Sequence, residues 1–220
     1  MSASGFTTLL DLVASVLLLS SVIIVWRRDY GAMIKLLVVQ GVAIGGIPLV
    51  SGIYLKDLQL VVVGMMVILL RGGVLPWVLS RRLADETAGS RETKPLVNTT
   101  SALFVTALLV MVGYLVTHPM LRRASTPETR AIPAAFAVIL IGVFLLVSRK
   151  RALSQGIGFL VMDNGIDAVA FLATLGVPVI IEIGASFDLL LVLAILVILT
   201  GRMHAKFKDT DLDALSELRD

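Results

Sequence analysis

Apolar runs of about 20 residues recur along this 220-residue chain, and they constrain its fold more than any other feature. A run of that length, coiled into an α-helix, matches the roughly 30 Å hydrocarbon core of a bilayer. Seven can be read, at approximately 6–26, 31–53, 58–80, 96–118, 130–148, 154–176 and 178–201. Inside lipid every backbone N–H and C=O needs an internal partner, so such runs form helices and not open sheets. Hydrophobic residues make up 57% of the chain and charged ones 16%, well below the roughly 25% of a soluble domain, and the mean hydropathy is +0.96. The expected fold is an all-α polytopic membrane protein of about seven transmembrane helices. So little polar sequence remains that any centre handling a water-soluble cofactor would belong to another chain.

Orientation follows from the basic residues. Arg27, Arg28 and Lys35 follow the first run, Arg81, Arg82, Arg91 and Lys94 the third, Arg149, Lys150 and Arg151 the fifth, and Arg202, Lys206, Lys208 and Arg219 the seventh. The opposite side has Lys56, Arg122, Arg123 and Arg130. The positive-inside rule therefore predicts an external N-terminus and a cytoplasmic C-terminus. Met1 to Thr8 lacks Lys and Arg, so it is read as the start of the first span and not as the basic end of a signal peptide. The net charge of +3 faces anionic lipid and needs no nucleic acid to explain it. With no cysteine, disulfides, iron–sulfur clusters and thiolate metal sites are excluded. The two histidines, His118 and His204, both stand at span ends, and no metal or other cofactor is expected.

Some spans are irregular. The second contains Gly41, Gly45 and Gly46 before Pro48, a small-residue face suited to close helix packing. The third reads Arg71-Gly72-Gly73-Val74-Leu75-Pro76-Trp77, a positive charge beside two glycines and a proline that removes a backbone hydrogen bond. Arg71 either stays within the membrane at this disturbed turn or extends toward the cytoplasmic surface, about 14 Å away at Ser80. Residues 81–94 suit a solvated loop. In the tail, Asp209-Thr210-Asp211-Leu212-Asp213 resembles the start of a calcium loop, but Ala214 stands where the sharp-turn glycine is required. Thr210 and Asp213 fit a helix start instead, with Leu212, Leu215 and Leu218 forming a short apolar stripe for docking.

The candidate functional residues are acids within the last two runs: Asp163 and Asp167, then Glu182 and Asp188. Ionisable residues inside membrane spans mark functional sites by default. At about 1.5 Å per residue, Asp163 and Asp188 fall near the midplane, while Asp167 and Glu182 form an outer tier. Glu182 and Asp188 are about 120° apart around their helix, so one of them faces elsewhere. Close carboxylates in a low dielectric cannot both stay ionised, so one should hold a proton and release it when water or a cation approaches. That behaviour suits a proton relay, with Asn164 able to hold a carboxylate or a water and Arg71 as a modulating positive charge. Interhelical hydrogen bonding, or pairing with Arg71, is the alternative role for the same acids. Asp11, alone in the first run, is expected to be interfacial.

The run Gly156-Ile157-Gly158-Phe159-Leu160-Val161-Met162-Asp163-Asn164-Gly165, then Gly176-Val177-Pro178, Glu182-Ile183-Gly184, Asp188, Asp209-Thr210-Asp211 and Glu217-Leu218-Arg219, resembles component E of the hydrogenase-4 type. The resemblance is strongest over residues 150–220, and the same segment is similar to the K-type subunit of respiratory complex I and its relative in multisubunit cation/proton antiporters. Gly158, Met162 and Asn164 match the pattern Gly-Leu-Glu-x-Met-x-Asn of that subunit, but Leu160 occupies the glutamate's position and the carboxylate appears at Asp163. The division this implies is a five-helix region at 1–148, an acidic hairpin at 149–201 and a cytoplasmic tail at 202–220. It implies a non-catalytic subunit of the prokaryotic plasma (inner) membrane, set among antiporter-like subunits and a membrane anchor subunit beneath a nickel–iron and iron–sulfur arm. Asp163 and Asp188 would form a central relay, with Glu182 and Asp167 outside it. A structural spacer in the same complex and a subunit of a cation/proton antiporter remain open as alternatives. A free-standing transporter would show inverted repeats, and the first three spans contain no acid pair to mirror the last two.

Overall fold

A computed structural model describes residues 2–85, 96–123 and 126–174. The described chain is helical: α1 (Ala3–Trp26), α2 (Tyr30–Leu55), α3 (Leu58–Val67), a π-helical segment (Ile68–Val74), α4 (Leu75–Asp85), α5 (Thr99–Arg123), α6 (Pro127–Ser148) and α7 (Ala152–Thr174). α3, the π segment and α4 run on as one span, so among the described residues six helices are long and apolar enough to cross a membrane. They correspond to the first six runs of the sequence. The seventh run, with Glu182 and Asp188, and the tail with its helix start at Thr210 lie outside the described residues.

Helix ends inside or near a membrane must satisfy the four free N–H and four free C=O groups that each helix leaves. Asp29 caps α2 by accepting from the Ala32 N–H at 2.8 Å, and Asp57 caps α3 through the Gln59 N–H at 2.8 Å. Lys56 adopts a left-handed φ of 57° and ends α2, turning the chain into α3 within two residues. Thr126 and Thr129 form a reciprocal capping box at the start of α6. The C-terminus of α1 is closed from a distance: Arg149, buried between α6 and α7, donates to the carbonyls of Val25 at 2.9 Å and Arg27 at 3.2 Å. That contact ties the α1–α2 and α6–α7 connections together at the basic end of the bundle.

Helices α1, α2, α6 and α7 form the centre, with α1 touching α2 and α6, and α7 touching α2 and α6. The α3–π–α4 span packs on α2, and α5 packs on α6 with a smaller contact to α1. Apolar area alone does not drive association among lipid tails, so close backbone approach and buried polar contacts carry much of it. Gly41 shows this on α2, where an added methyl group would overlap the backbone of Arg71 and Gly72. Gly142 does the same for α6 against Met162 of α7.

The π segment coincides with the irregular Arg71–Trp77 stretch. Pro76 has no N–H for the Gly72 carbonyl, and the Leu75 N–H reaches back five residues to the Leu70 carbonyl instead of four. The added residue per turn rotates Arg71 relative to a continuous α-helix. Its side chain lies against α7, only 2% exposed, and does not extend to the surface.

Candidate functional site

Three helical elements, α2, α7 and the π segment, bring polar groups to one place. Asp163 and Asp167 stand one turn apart on the same face of α7, with Asn164 beside them. The Arg71 guanidinium lies between the two carboxylates: Nη1 donates to Asp163 Oδ2 at 2.5 Å, and Nη2 pairs with Asp167. Nη1 also donates to Asn164 Oδ1 at 3.0 Å. The Asp163 side chain is 25% exposed and that of Asp167 14%, so the acids form the more open side of a cluster whose cation is enclosed.

The network continues away from the acids. Asn164 Nδ2 donates to Gln40 Oε1 of α2 at 3.0 Å, Gln40 Nε2 donates to Ser21 Oγ of α1 at 2.7 Å, and Ser21 Oγ donates to the Leu17 carbonyl at 2.8 Å. A carbonyl can only accept, so the Leu17 oxygen at the far end sets the direction of the whole chain. Each amide is thereby held with its oxygen toward Arg71 and its NH₂ group toward α1. Gln40 and Ser21 are fully buried and Asn164 is 5% exposed. Below this network, toward the basic ends of the helices, lies a cavity of about 10 Å³ lined by Leu37, Arg71, Leu75, Pro76, Leu160 and Asn164, the space of about one water molecule.

Charge balance gives the site its chemistry. Two carboxylates against one guanidinium leave one excess negative charge when all three are ionised, and a single bound proton neutralises the cluster. The arginine also offers each acid the same partner. Protonating one carboxylate leaves the guanidinium free to tighten on the other with little rearrangement.

Of the residues singled out in the sequence, Arg71, Asp163, Asn164 and Asp167 come together, whereas Glu182 and Asp188 lie outside the described residues. Gln40 and Ser21 were not singled out. Their signal was an amide and a hydroxyl in the middle of apolar runs, the same anomaly that marked the acids but without a charge. Leu160 lines the small cavity. Asp11 is exposed, eight residues into α1 and so about 12 Å from the start of that helix.

A multi-pass helical membrane protein with a buried arginine–carboxylate cluster at mid-depth is the class that this fold and site define. The chain belongs to the family of the Mycobacterium tuberculosis protein Rv0085, described as uncharacterised, to which it is 48% identical over 220 residues, the full length of both. It is also distantly similar, at 25% identity over 126 residues, to the hydrogenase-4 component E of Escherichia coli K12 and of Shigella flexneri. That match covers 57% of this chain and 58% of the component E sequence. No protein-family profile and no solved structure matches the chain.

Proposed function

We propose that the chain is a membrane subunit of a redox-driven complex of the hydrogenase-4 or complex I type, and that the Arg71–Asp163–Asp167 cluster is part of its proton-translocation pathway. The observation that carries this reading is a single enclosed guanidinium shared by two carboxylates one turn apart within the membrane layer. Such an arrangement holds one proton at a time and passes it between two positions about 6 Å apart along α7. A proton reaching one acid releases its hold on Arg71, which strengthens the pairing of the other. Asp188 and Glu182 extend the relay as a central and an outer member, and the small cavity beside Arg71 supplies room for a connecting water. The chain itself performs no substrate chemistry. Its partners are antiporter-like membrane subunits, a membrane anchor subunit and a nickel–iron and iron–sulfur arm, in a prokaryotic plasma (inner) membrane.

The test is proton translocation by the assembled complex carrying Asp163→Asn, Asp167→Asn or Asp188→Asn. Loss of translocation with assembly and electron transfer intact is the expected result, and unchanged translocation in all three variants would refute the relay. A second reading, a structural spacer, is favoured by one observation: the Arg71–Asn164–Gln40–Ser21 chain is hydrogen-bonded end to end, as interhelical glue is. Under that reading the three variants alter assembly and leave translocation per complex unchanged. Identifying the chains that copurify in mild detergent tests the partner set, and a nickel–iron subunit among them is expected.

A further inference from the structure

Two adjacent residues of α2 hold Arg71 at its two ends. At the backbone, Gly41 lets the π segment come so close that an added methyl group would overlap the Arg71 carbonyl. At the guanidinium, Gln40 acts through an intermediary: its Oε1 accepts from Asn164 Nδ2 at 3.0 Å, and Asn164 Oδ1 accepts from Arg71 Nη1 at 3.0 Å. The other side chains lining the cavity beside Arg71 are those of Leu37, Leu75, Pro76 and Leu160, so on that side the polar side chain is Asn164. Gln40 is fully buried and bonds to Asn164 and Ser21, not to Arg71 or to either acid.

An asparagine amide carries an oxygen and an NH₂ group of similar size, and a half-turn exchanges them. Only one orientation serves the cluster. With the oxygen toward Arg71, Nη1 gives one N–H to Asp163 and one to Asn164, and Nη2 is kept for Asp167. With the NH₂ group in that place, donor would face donor, and the amide could give its hydrogens to a carboxylate instead of the arginine. The guanidinium favours the first orientation only while it stays in contact. Gln40 favours it at all times, because the oxygen it presents accepts from Asn164 Nδ2 alone, and Gln40 is held that way round by Ser21 Oγ, whose own hydrogen goes to the Leu17 carbonyl.

We infer that Gln40 is a positioning residue of the relay: by orienting Asn164 it keeps the Arg71 guanidinium between Asp163 and Asp167 while a proton passes from one acid to the other. This role rests on the relay proposed above and adds a residue on a helix that contributes no acid to the cluster. α2 sets where the cation stands, and α7 holds the charges that change.

The test is proton translocation per assembled complex, at a fixed rate of electron transfer, in four variants: Gln40→Met, which keeps the volume and loses both hydrogen bonds, Ser21→Ala, which releases the far end of the Gln40 amide, Asn164→Leu, and Gln40→Met combined with Asn164→Leu. Gln40→Met is expected to lower translocation about threefold, the scale of one interhelical hydrogen bond in a membrane, and Ser21→Ala about twofold. The combined variant is expected to translocate no less than Asn164→Leu alone, since Gln40 then has no amide to orient. Losses that add, or translocation per complex unchanged in Gln40→Met and Ser21→Ala, would overturn the inference, because interhelical glue alters the amount of complex and not the yield of each. Asp163→Asn in the same series separates the two levels. Normal translocation in that variant removes the relay itself, whereas its loss beside unchanged Gln40→Met and Ser21→Ala removes Gln40 alone. If Gln40→Met does not assemble, Ser21→Ala, which leaves Gln40 and Asn164 in place, decides the matter.

Discussion

Asp167 of α7 and Asp11 of α1 lie at similar depths, about 10 Å from Thr174 and about 12 Å from Ala3, yet their surroundings are opposite. Asp167 shares an enclosed guanidinium with Asp163, whereas Asp11 points out of the bundle among hydroxyls that have already spent their hydrogens. The contrast separates two uses of an acid in a membrane. One pairs with a cation inside the bundle, and the other has no bonded partner among the described residues. The difference arises in the third span, where the π segment turns a cation inward toward α7, while among the described residues no cation pairs with Asp11.

Removing the cation tests that contrast most severely. Arg71→Leu leaves two half-buried carboxylates without their partner and is expected to destabilise the helix bundle by about 3 kcal/mol, read as loss of the chain from membranes or of its thermal stability in detergent. Adding Asp163→Asn and Asp167→Asn to that variant should restore much of the loss, because no uncompensated charge then remains. Failure of the rescue would mean that Arg71 acts through something other than these two acids.

Backbone approach comes next. Gly41→Ala places a methyl group against the Arg71 and Gly72 backbone and should cost about 1–3 kcal/mol, whereas Gly73→Ala, with nothing within 4 Å of the added carbon, should be close to neutral. Equal effects at the two glycines would refute the close packing of the π segment on α2. Gln40→Leu removes the hydrogen bonds to both Asn164 and Ser21 and is expected to cost about 1 kcal/mol, measured by the same thermal assay.

The smallest effect is expected at Asp11. Asp11→Leu should change the stability of the chain purified on its own by no more than about 0.5 kcal/mol, since no described residue bonds its carboxylate. A loss comparable to that of Arg71→Leu would reveal a partner for Asp11 within the chain and would erase the distinction between the two acids.

Much of this arrangement was legible in the sequence, for reasons that can be traced to particular residues. Span lengths follow from bilayer thickness, and the first six runs agree with the helices to within a few residues. Arg71-Gly72-Gly73 with Pro76 marked the disturbed turn, because the loss of a proline N–H is written in the residue itself. Asp163, Asn164 and Asp167 stood out as polar residues at mid-span. Gln40 passed unnoticed because an uncharged amide stands out less against an apolar run than a carboxylate does. The i, i+4 spacing placed Asp163 and Asp167 on one face, but spacing within one helix says nothing about which other helix that face meets.

The sequence by itself determined the class of protein, the approximate bounds of its described spans and the shared face of Asp163 and Asp167, because hydrophobic length and rise per residue are properties of a single helix. Whether Arg71 extended to the surface or stayed inside was open at that level, since a long side chain about 14 Å from the span end suits both outcomes. Only the tertiary structure decided it. The π turn sets the rotation of the third span, Gly41 sets how closely that span lies on α2, and together they carry the guanidinium to Asp163 and Asp167 of α7. Ion pairing requires two groups within a few ångströms, a distance set by the mutual placement of helices and not by the composition of any one of them.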